Sequence, residues 1–269
     1  MMRERARRRN TQRPAVRRTR PAPVRWHGDA LRGIMRIPPP ASAPAMLRFY
    51  YSLAPNPMKV ALFLEEAGLA YEAIPVDTRK GEQHAPAFRA INPNGKVPAI
   101  VDGDVAVFDS GAILLYLGEK TGKFMPPATP AARAPLLSWM FFVASGLGPF
   151  CGQAVHFEKY APEKLPYAQK RYLFEARRHL SIVDARLSSR RHMLGDDYTI
   201  VDMNVWGWAR LAPFVLGDEG AWTSFPNLKR LVDEITARPA AQRALALKER
   251  HAFKTEMDDE ARRAMFQHL

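Results

Sequence analysis

The chain has 269 residues, 47% hydrophobic and 25% charged, with 40 Lys and Arg against 27 Asp and Glu for a formal charge of +13. At about 100–200 residues per domain this makes one or two domains with enough apolar material for a real core, which excludes wholesale disorder and low-complexity or collagen-like chains. Its one cysteine, Cys151, excludes an intramolecular disulfide and any all-cysteine zinc site.

Segment 1–45 holds twelve arginines, no lysine, and only Glu4 and Asp29 as acids, so ten of the thirteen net positive charges lie there. The rest of the chain is close to neutral. A basic groove for nucleic acid is therefore not expected in the folded part, and only this tail offers nucleic acid a partner. Rich in Arg, Pro and Ala and without apolar periodicity, the segment is expected to be disordered. Four accounts of it stand side by side. It is a start assigned too far upstream of Met46, or a basic tail for nucleic acid or an acidic surface. It is an organellar transit peptide, Arg-rich and acid-poor but short of serine, or a secretory or twin-arginine signal, which lacks the apolar stretch of about 7–15 residues.

From Met46 the elements follow in order. Leu47-Arg48-Phe49-Tyr50-Tyr51 is a β-type run ended by the turn signal Pro55-Asn56-Pro57. A helix is expected from Pro57, carrying Val60, Leu62, Phe63, Leu64 and Ala67 and stopped by Gly68. Residues 71–76 read as a second strand, whose Pro75 argues for a sheet edge. A short helix around 86–90 leads into four turn residues, Asn92-Pro93-Asn94-Gly95. Residues 97–101 and 105–108 form a hairpin about Gly103-Asp104. Asp109-Ser110 then caps a helix with Ile113, Leu114, Tyr116 and Leu117 on its apolar face. The order is β-α-β-α-β-β-α.

Beyond Pro126-Pro127 only helices are expected. One covers 131–144, and another covers 167–188 with Tyr172, Leu173, Leu180, Val183 and Leu187 inward. A third opens on the capping box Thr199-Ile200-Val201-Asp202 and passes through Trp206 and Trp208, and the last covers 226–247. Residues 134–157 carry no Asp, Glu, Lys or Arg, but Gly146-Leu147-Gly148-Pro149 interrupts them. A buried core helix that breaks near its middle is expected there, not a membrane span. This is an α+β architecture: a small sheet domain at 46–126, an all-helical domain at 134–255 and a tail at 256–269.

The run Asn92-Pro93-Asn94-Gly95-Lys96-Val97-Pro98-Ala99-Ile100, followed by Asp109-Ser110-Gly111-Ala112-Ile113, resembles the glutathione-binding half of soluble glutathione S-transferases. The late capping box and Phe225-Pro226-Asn227-Leu228 resemble that family's helical half, so the match runs from Met46 to about Lys248. Three further pieces are similar to the bacterial nu class: Phe63-Leu64-Glu65-Glu66, Val76-Asp77-Thr78-Arg79-Lys80-Gly81-Glu82-Gln83, and Gly146-Leu147-Gly148-Pro149 with Gly152-Gln153. That class has glutathione-dependent disulfide-bond reductase activity and is related to a fungal nitrogen-regulatory protein. The resemblance implies a thioredoxin-like N-terminal domain, an all-α C-terminal domain and a cytoplasmic homodimer. It implies glutathione as co-substrate, no metal, and a small electrophilic or disulfide acceptor. The fungal regulator keeps open a non-catalytic binding module of the same fold.

A cysteine thiol titrates near 8.5, so only a small part of glutathione is thiolate at pH 7. The free N–H groups and positive end of the helix opening at Pro57 would favour that thiolate. Asn56, in the turn before it, can donate a hydrogen bond to sulfur without losing a proton. By resemblance Asn56 is the residue that stabilises the thiolate; on the residues alone it is an N-cap. The nu class usually has threonine two positions earlier, where this chain has Ala54, and Ser52 and Tyr51 are nearby hydroxyls or plain strand residues. The resemblance implies a cis Val97–Pro98 bond with the Val97 backbone paired to the cysteinyl unit. It implies Asp109 and Ser110 on the γ-glutamyl ammonium and carboxylate, Gln83 and Lys96 at the glycyl end, and Arg171 reaching in from the helical half. Helix capping and surface solvation are the plain alternatives for these residues. Trp139, Phe142, Phe150 and Cys151 are expected to form the acceptor pocket, with Gln153 and His156 beside it or in the core. Without a CxxC, Cys151 has no dithiol chemistry, and a lone cysteine reads first as buried and inert.

Overall fold

A computed structural model describes residues 46–267, so the expectations for 1–45 lie outside the described residues. Strand β1, Leu47–Tyr51, turns Leu47, Phe49 and Tyr51 to the core and leaves the residues between them half-buried, the period-two pattern of a strand. It is followed by α1, Pro55–Ala67, β2, Tyr71–Pro75, and the four-residue α2, Pro86–Arg89. Then come β3, Ala99–Asp102, β4, Val105–Phe108, and α3, Ser110–Thr121. The sheet runs β2-β1-β3-β4, with β1 and β2 parallel and the other pairs antiparallel. Pro75 lies on the edge strand, where a missing N–H costs no ladder bond. β3 begins at Ala99 and not at 97, because Pro98 has no N–H to give the ladder; the Val97–Pro98 bond is cis, as the resemblance implied.

Helix α1 opens at Pro55, two residues earlier than expected. Proline's fixed φ suits a helix's first turn, so two prolines there extend the helix instead of delaying it. Ala54 takes the N-cap position with extended backbone and no side-chain cap, and Gly68 closes the helix at φ 66°.

The second half is α4, Pro130–Phe142, α5, Gly148–Val155, α6, Pro166–Leu187, and α7, Ile200–Ala209. It continues through α8, Ala212–Leu216, α9, Pro226–Thr236, α10, Pro239–Leu245, and α11, Asp259–Met265. The break expected near Gly146 is absent. A π turn over Val143–Leu147 joins α4 to α5, and a second over His156–Tyr160 extends the helix to Tyr160. The wider turn places Pro149 at the start of α5, where its lack of N–H is tolerated. By length and composition alone this helix is long and apolar enough to cross a membrane. Here it buries Leu136, Met140, Val143, Leu147, Cys151 and Ala154 in the core. The helix expected over 226–247 is two, because Pro239 holds Arg238 extended at ψ 138°.

The main apolar cluster runs through both halves, with α1 packed on α3, α7 and α10. Phe49, Phe63 and Trp206 are fully buried, each worth roughly 1.5–3 kcal/mol of transfer free energy. Arg238 grips Glu66, with Nη2 donating to Oε2 at 3.1 Å, and Arg243 Nε donates to Glu65 at 2.8 Å. The capping box forms as expected: Thr199 N and Oγ1 donate to Asp202 Oδ2 at 2.8 and 2.9 Å. After α10 the chain returns to the sheet half. There Lys254 N donates to Asp77 Oδ2 at 2.7 Å, and Arg79 Nη1 donates to the carbonyls of Lys254 and Thr255 at 2.7 and 2.9 Å.

Candidate active site

Two adjoining cavities lie where α1 and α3 begin. One, of about 300 Å³, is lined by Asn56, Asn92, Asn94, Lys96, Val97, Pro98, Phe108, Asp109 and Ser110. The other, of about 170 Å³, shares Asn56, Asp109 and Ser110 with it and adds Lys59, Val143, Ala144, Gly148, Pro149 and Asn204. Five of the residues singled out from sequence, Asn56, Lys96, Val97, Asp109 and Ser110, are thus brought together.

Asn56 is not a cap. It is the second residue of α1, and its Oδ1 accepts a hydrogen bond from Trp208 Nε1 at 3.0 Å. An indole N–H only donates, so the atom facing it must be the amide oxygen. The amide is therefore fixed with its NH₂ left over, and among the described residues that NH₂ has no partner. Gly148 gives the indole its room: a Cβ there would stand 3.3 Å from Trp208 Nε1 and 3.1 Å from the Val143 carbonyl. The supply of backbone donors at this helix start is smaller than expected. Pro55 and Pro57 have no N–H, which leaves Asn56's own as the one backbone donor among the first three helical residues.

Asp109 sits at φ 71°, a conformation that residues other than glycine rarely adopt. Its Oδ1 caps α3 by accepting from Gly111 N at 2.9 Å and Ala112 N at 3.2 Å, so the plain capping role is real and Oδ2 remains. Ser110 follows, buried, at the head of the helix. The 92–96 turn is held from inside by buried Asn92, whose Nδ2 donates to the Lys96 carbonyl and whose Oδ1 accepts from Asn94 N at 3.0 Å.

The other predicted residues lie elsewhere. Gln83 is buried under the returning C-terminal segment: its Nε2 donates to the Ala264 carbonyl at 2.9 Å, and His84 Nε2 lies 2.9 Å from the same oxygen. Arg171 is on α6, paired with Glu175, whose carboxyl Arg178 and then Arg171 hold below its ordinary value; it lines neither cavity. Trp139, Phe142 and Phe150 form a layer against α6 instead of an acceptor pocket. The Phe142 and Phe150 rings lie 5.1 and 4.9 Å from His179, and the Arg186 guanidinium sits 5.4 Å over Trp139. Cys151 is fully buried and its thiol is pushed up to about 12 by desolvation, only partly offset by Lys59, so it is neither reactive nor a pocket wall. Tyr51 turns its hydroxyl away, to His251 Nδ1 at 2.9 Å and the Leu247 carbonyl at 3.3 Å. Ser52 Oγ accepts from Ala54 N at 3.3 Å. Neither replaces the missing threonine.

Beside Asn94 and Lys96 a wider groove of about 720 Å³ opens, walled by His84, Arg89, Gly152, Gln153, His156, Phe157 and the C-terminal Met265, Phe266 and Gln267. Gly152 and His156 lie one and two helical turns beyond Gly148, so one face of the 148–156 stretch borders both the 170 Å³ cavity and this groove. Among the described residues no group of three His, Cys, Asp or Glu is placed to hold a metal.

Residues 47–119 match the model of the glutathione S-transferase N-terminal domain, and residues 139–239 match that of the C-terminal domain. The chain is 41% identical over 214 residues to the disulfide-bond oxidoreductase YfcG of Escherichia coli, covering 74% of this chain and 94% of that one. A glutathione transferase from Burkholderia graminis, solved with two glutathione molecules per subunit, superposes at TM-score 0.72 with 36% identity, over 79% of this chain and 92% of that one. One from Pseudomonas putida, solved with one glutathione disulfide per subunit, superposes at 0.70 with 34% identity, over 77% and 93%. The fold, an N-terminal thioredoxin-like sheet followed by helices, and these likenesses agree: the chain belongs to the glutathione S-transferase family.

Proposed function

We propose that this protein is a glutathione-dependent thiol–disulfide oxidoreductase with transferase capability, working as a cytoplasmic homodimer. The observation that carries the reading is the Asn56 amide, locked by Trp208 with its NH₂ unspent, beside Asp109, Ser110 and Val97. Glutathione lies along the 300 Å³ cavity with its sulfur at Asn56, its cysteinyl backbone at Val97 and its γ-glutamyl end at Asp109 Oδ2 and Ser110. Lys96 meets the glycyl carboxylate. Lowering the thiol's titration by two units, worth about 2.7 kcal/mol, is the task of Asn56 and the helix's positive end.

The thiolate attacks one sulfur of a disulfide. A new sulfur–sulfur bond to glutathione forms as the old one breaks, and the other half leaves as thiolate and takes a proton from solvent. A second glutathione then attacks the mixed disulfide at the glutathione sulfur, giving glutathione disulfide and the second free thiol. The 720 Å³ groove beside Lys96 has room for that second molecule, and the two-glutathione structure of the Burkholderia relative supports this use of it. Cys151 takes no part. With an electrophile in place of a disulfide, the same thiolate forms a thioether.

The test is calorimetric titration with reduced and oxidised glutathione, together with turnover of a small disulfide coupled to glutathione disulfide formation. Uptake of glutathione with disulfide turnover is expected, and no uptake of either form overturns the reading. Ala54, which lacks the hydroxyl usual at its position, favours one alternative, a non-catalytic glutathione-binding module. Binding without turnover of a disulfide or a halo-aromatic would establish it.

A further inference from the structure

Lys59 is one of the largest fully buried side chains of the molecule, only 2% exposed. It lies one helical turn after Asn56, on the same face of α1, and lines the 170 Å³ cavity with Asn56, Asp109, Ser110 and Asn204. Its stem runs along α7 at Gly207, where a Cβ would stand 2.4 Å from Lys59 Cγ and 2.8 Å from its Cε. Only glycine leaves that passage open. At the end of it the side chain lines the cavity, and the ammonium has no hydrogen bond and no ion pair within 4 Å among the described residues. Burying a cation without a partner is unfavourable, and such groups are ordinarily paired or absent.

Resting on the glutathione reading above, we propose that Lys59 is the anion-holding residue of this site: it supplies the positive charge against which an anionic group of glutathione is held between Asn56 and Ser110. The two prolines make this necessary, since they strip backbone donors from the very helix start that would otherwise hold an anion. The groups around the ammonium are Asp109 from the start of α3 and Cys151 from α5, with uncharged Asn204 from α7 and Val143 and Ala144 from the α4–α5 turn. Burial dominates them and brings the ammonium from 10.5 down to about 7. An arriving anion opposes that shift, so binding near neutral pH draws a proton onto Lys59.

The experiment compares wild type with Lys59→Met, which keeps length and loses charge, by calorimetry with glutathione and with S-methylglutathione in buffers of different ionisation enthalpy. Lys59→Met should weaken glutathione at least tenfold and remove the proton uptake seen with wild type near pH 7.5. Equal losses with both ligands assign the anion to a carboxylate, and a loss confined to glutathione assigns it to the thiolate. Binding within twofold of wild type, with proton uptake unchanged, overturns the proposal while leaving glutathione binding intact. If wild type itself binds no glutathione, the reading beneath it falls first. A second measurement needs no variant: lysine ε-carbon NMR of the wild type should show one lysine titrating near neutrality whose midpoint rises by a unit or more with saturating S-methylglutathione, and an unmoved midpoint overturns the proposal as well.

Discussion

Two helix starts face the same cavity, and they are built in opposite ways. The start of α3 is closed on itself: Asp109 caps it and consumes the Gly111 and Ala112 amides. The start of α1 is left open. Ala54 offers no side-chain cap, two prolines remove donors, and the polar side chain of the first turn, Asn56, is held at the cavity by an indole on another helix. A capped terminus serves stability, whereas an uncapped one keeps its polarity for a visitor. The contrast separates the part of the cavity that orients a ligand from the part that reacts with it.

The sharpest way to break this comparison is Asn56→Ala. Removing one positioned donor from developing negative charge typically costs 10²–10³ in turnover, so disulfide reduction should fall by about that factor while folding persists. A drop under threefold would place the chemistry elsewhere. Next comes Lys59→Met in the ligand-free protein. A lysine whose folded value lies near 7 and unfolded value at 10.5 contributes its neutral-form stability fully above about 10.5 and loses it as pH falls towards 7. Removing the charge should therefore raise stability at pH 7 by about 1–4 kcal/mol, with the gap narrowing as pH rises. A variant melting below wild type at pH 7 contradicts this. At the α3 start, Asp109→Ala should cost about 1 kcal/mol of stability through the lost cap and should raise KM more than it lowers kcat. If kcat fell as far as in Asn56→Ala, the division of labour between the two starts would be wrong. Smallest of all, Cys151→Ala should leave turnover within twofold of wild type, and a larger loss would return the thiol to the mechanism.

The sheet half of the site was legible in sequence because its residues sit at turns, where a few consecutive residues determine backbone and side chain together. Asn92 to Val97 and Asp109-Ser110 are of this kind, and each lines the cavity. The helical half was not. Residue type points to Trp139, Phe142 and Phe150, but a helix presents only one face to an opening, and two π turns shift the phase of the 130–160 helix. The face that reaches the open space carries Gly148, Gly152, Gln153 and His156. Gln83 was covered by Ala264, a contact 181 positions distant that no local pattern reports. Lys59 is not legible locally, because a lysine on a helix reads as solvated and only the three-residue step from Asn56 points elsewhere.

The returning C-terminal segment has a practical side. Met265, Phe266 and Gln267 form one bank of the 720 Å³ groove, and Ala264 is tied by its carbonyl to the loop that follows β2. A bulky label attached at Gln267 would stand at the mouth of that groove and crowd bulky acceptors. The same address makes position 267 a good place for an environment-sensitive dye, whose emission would register each acceptor as it arrives and departs.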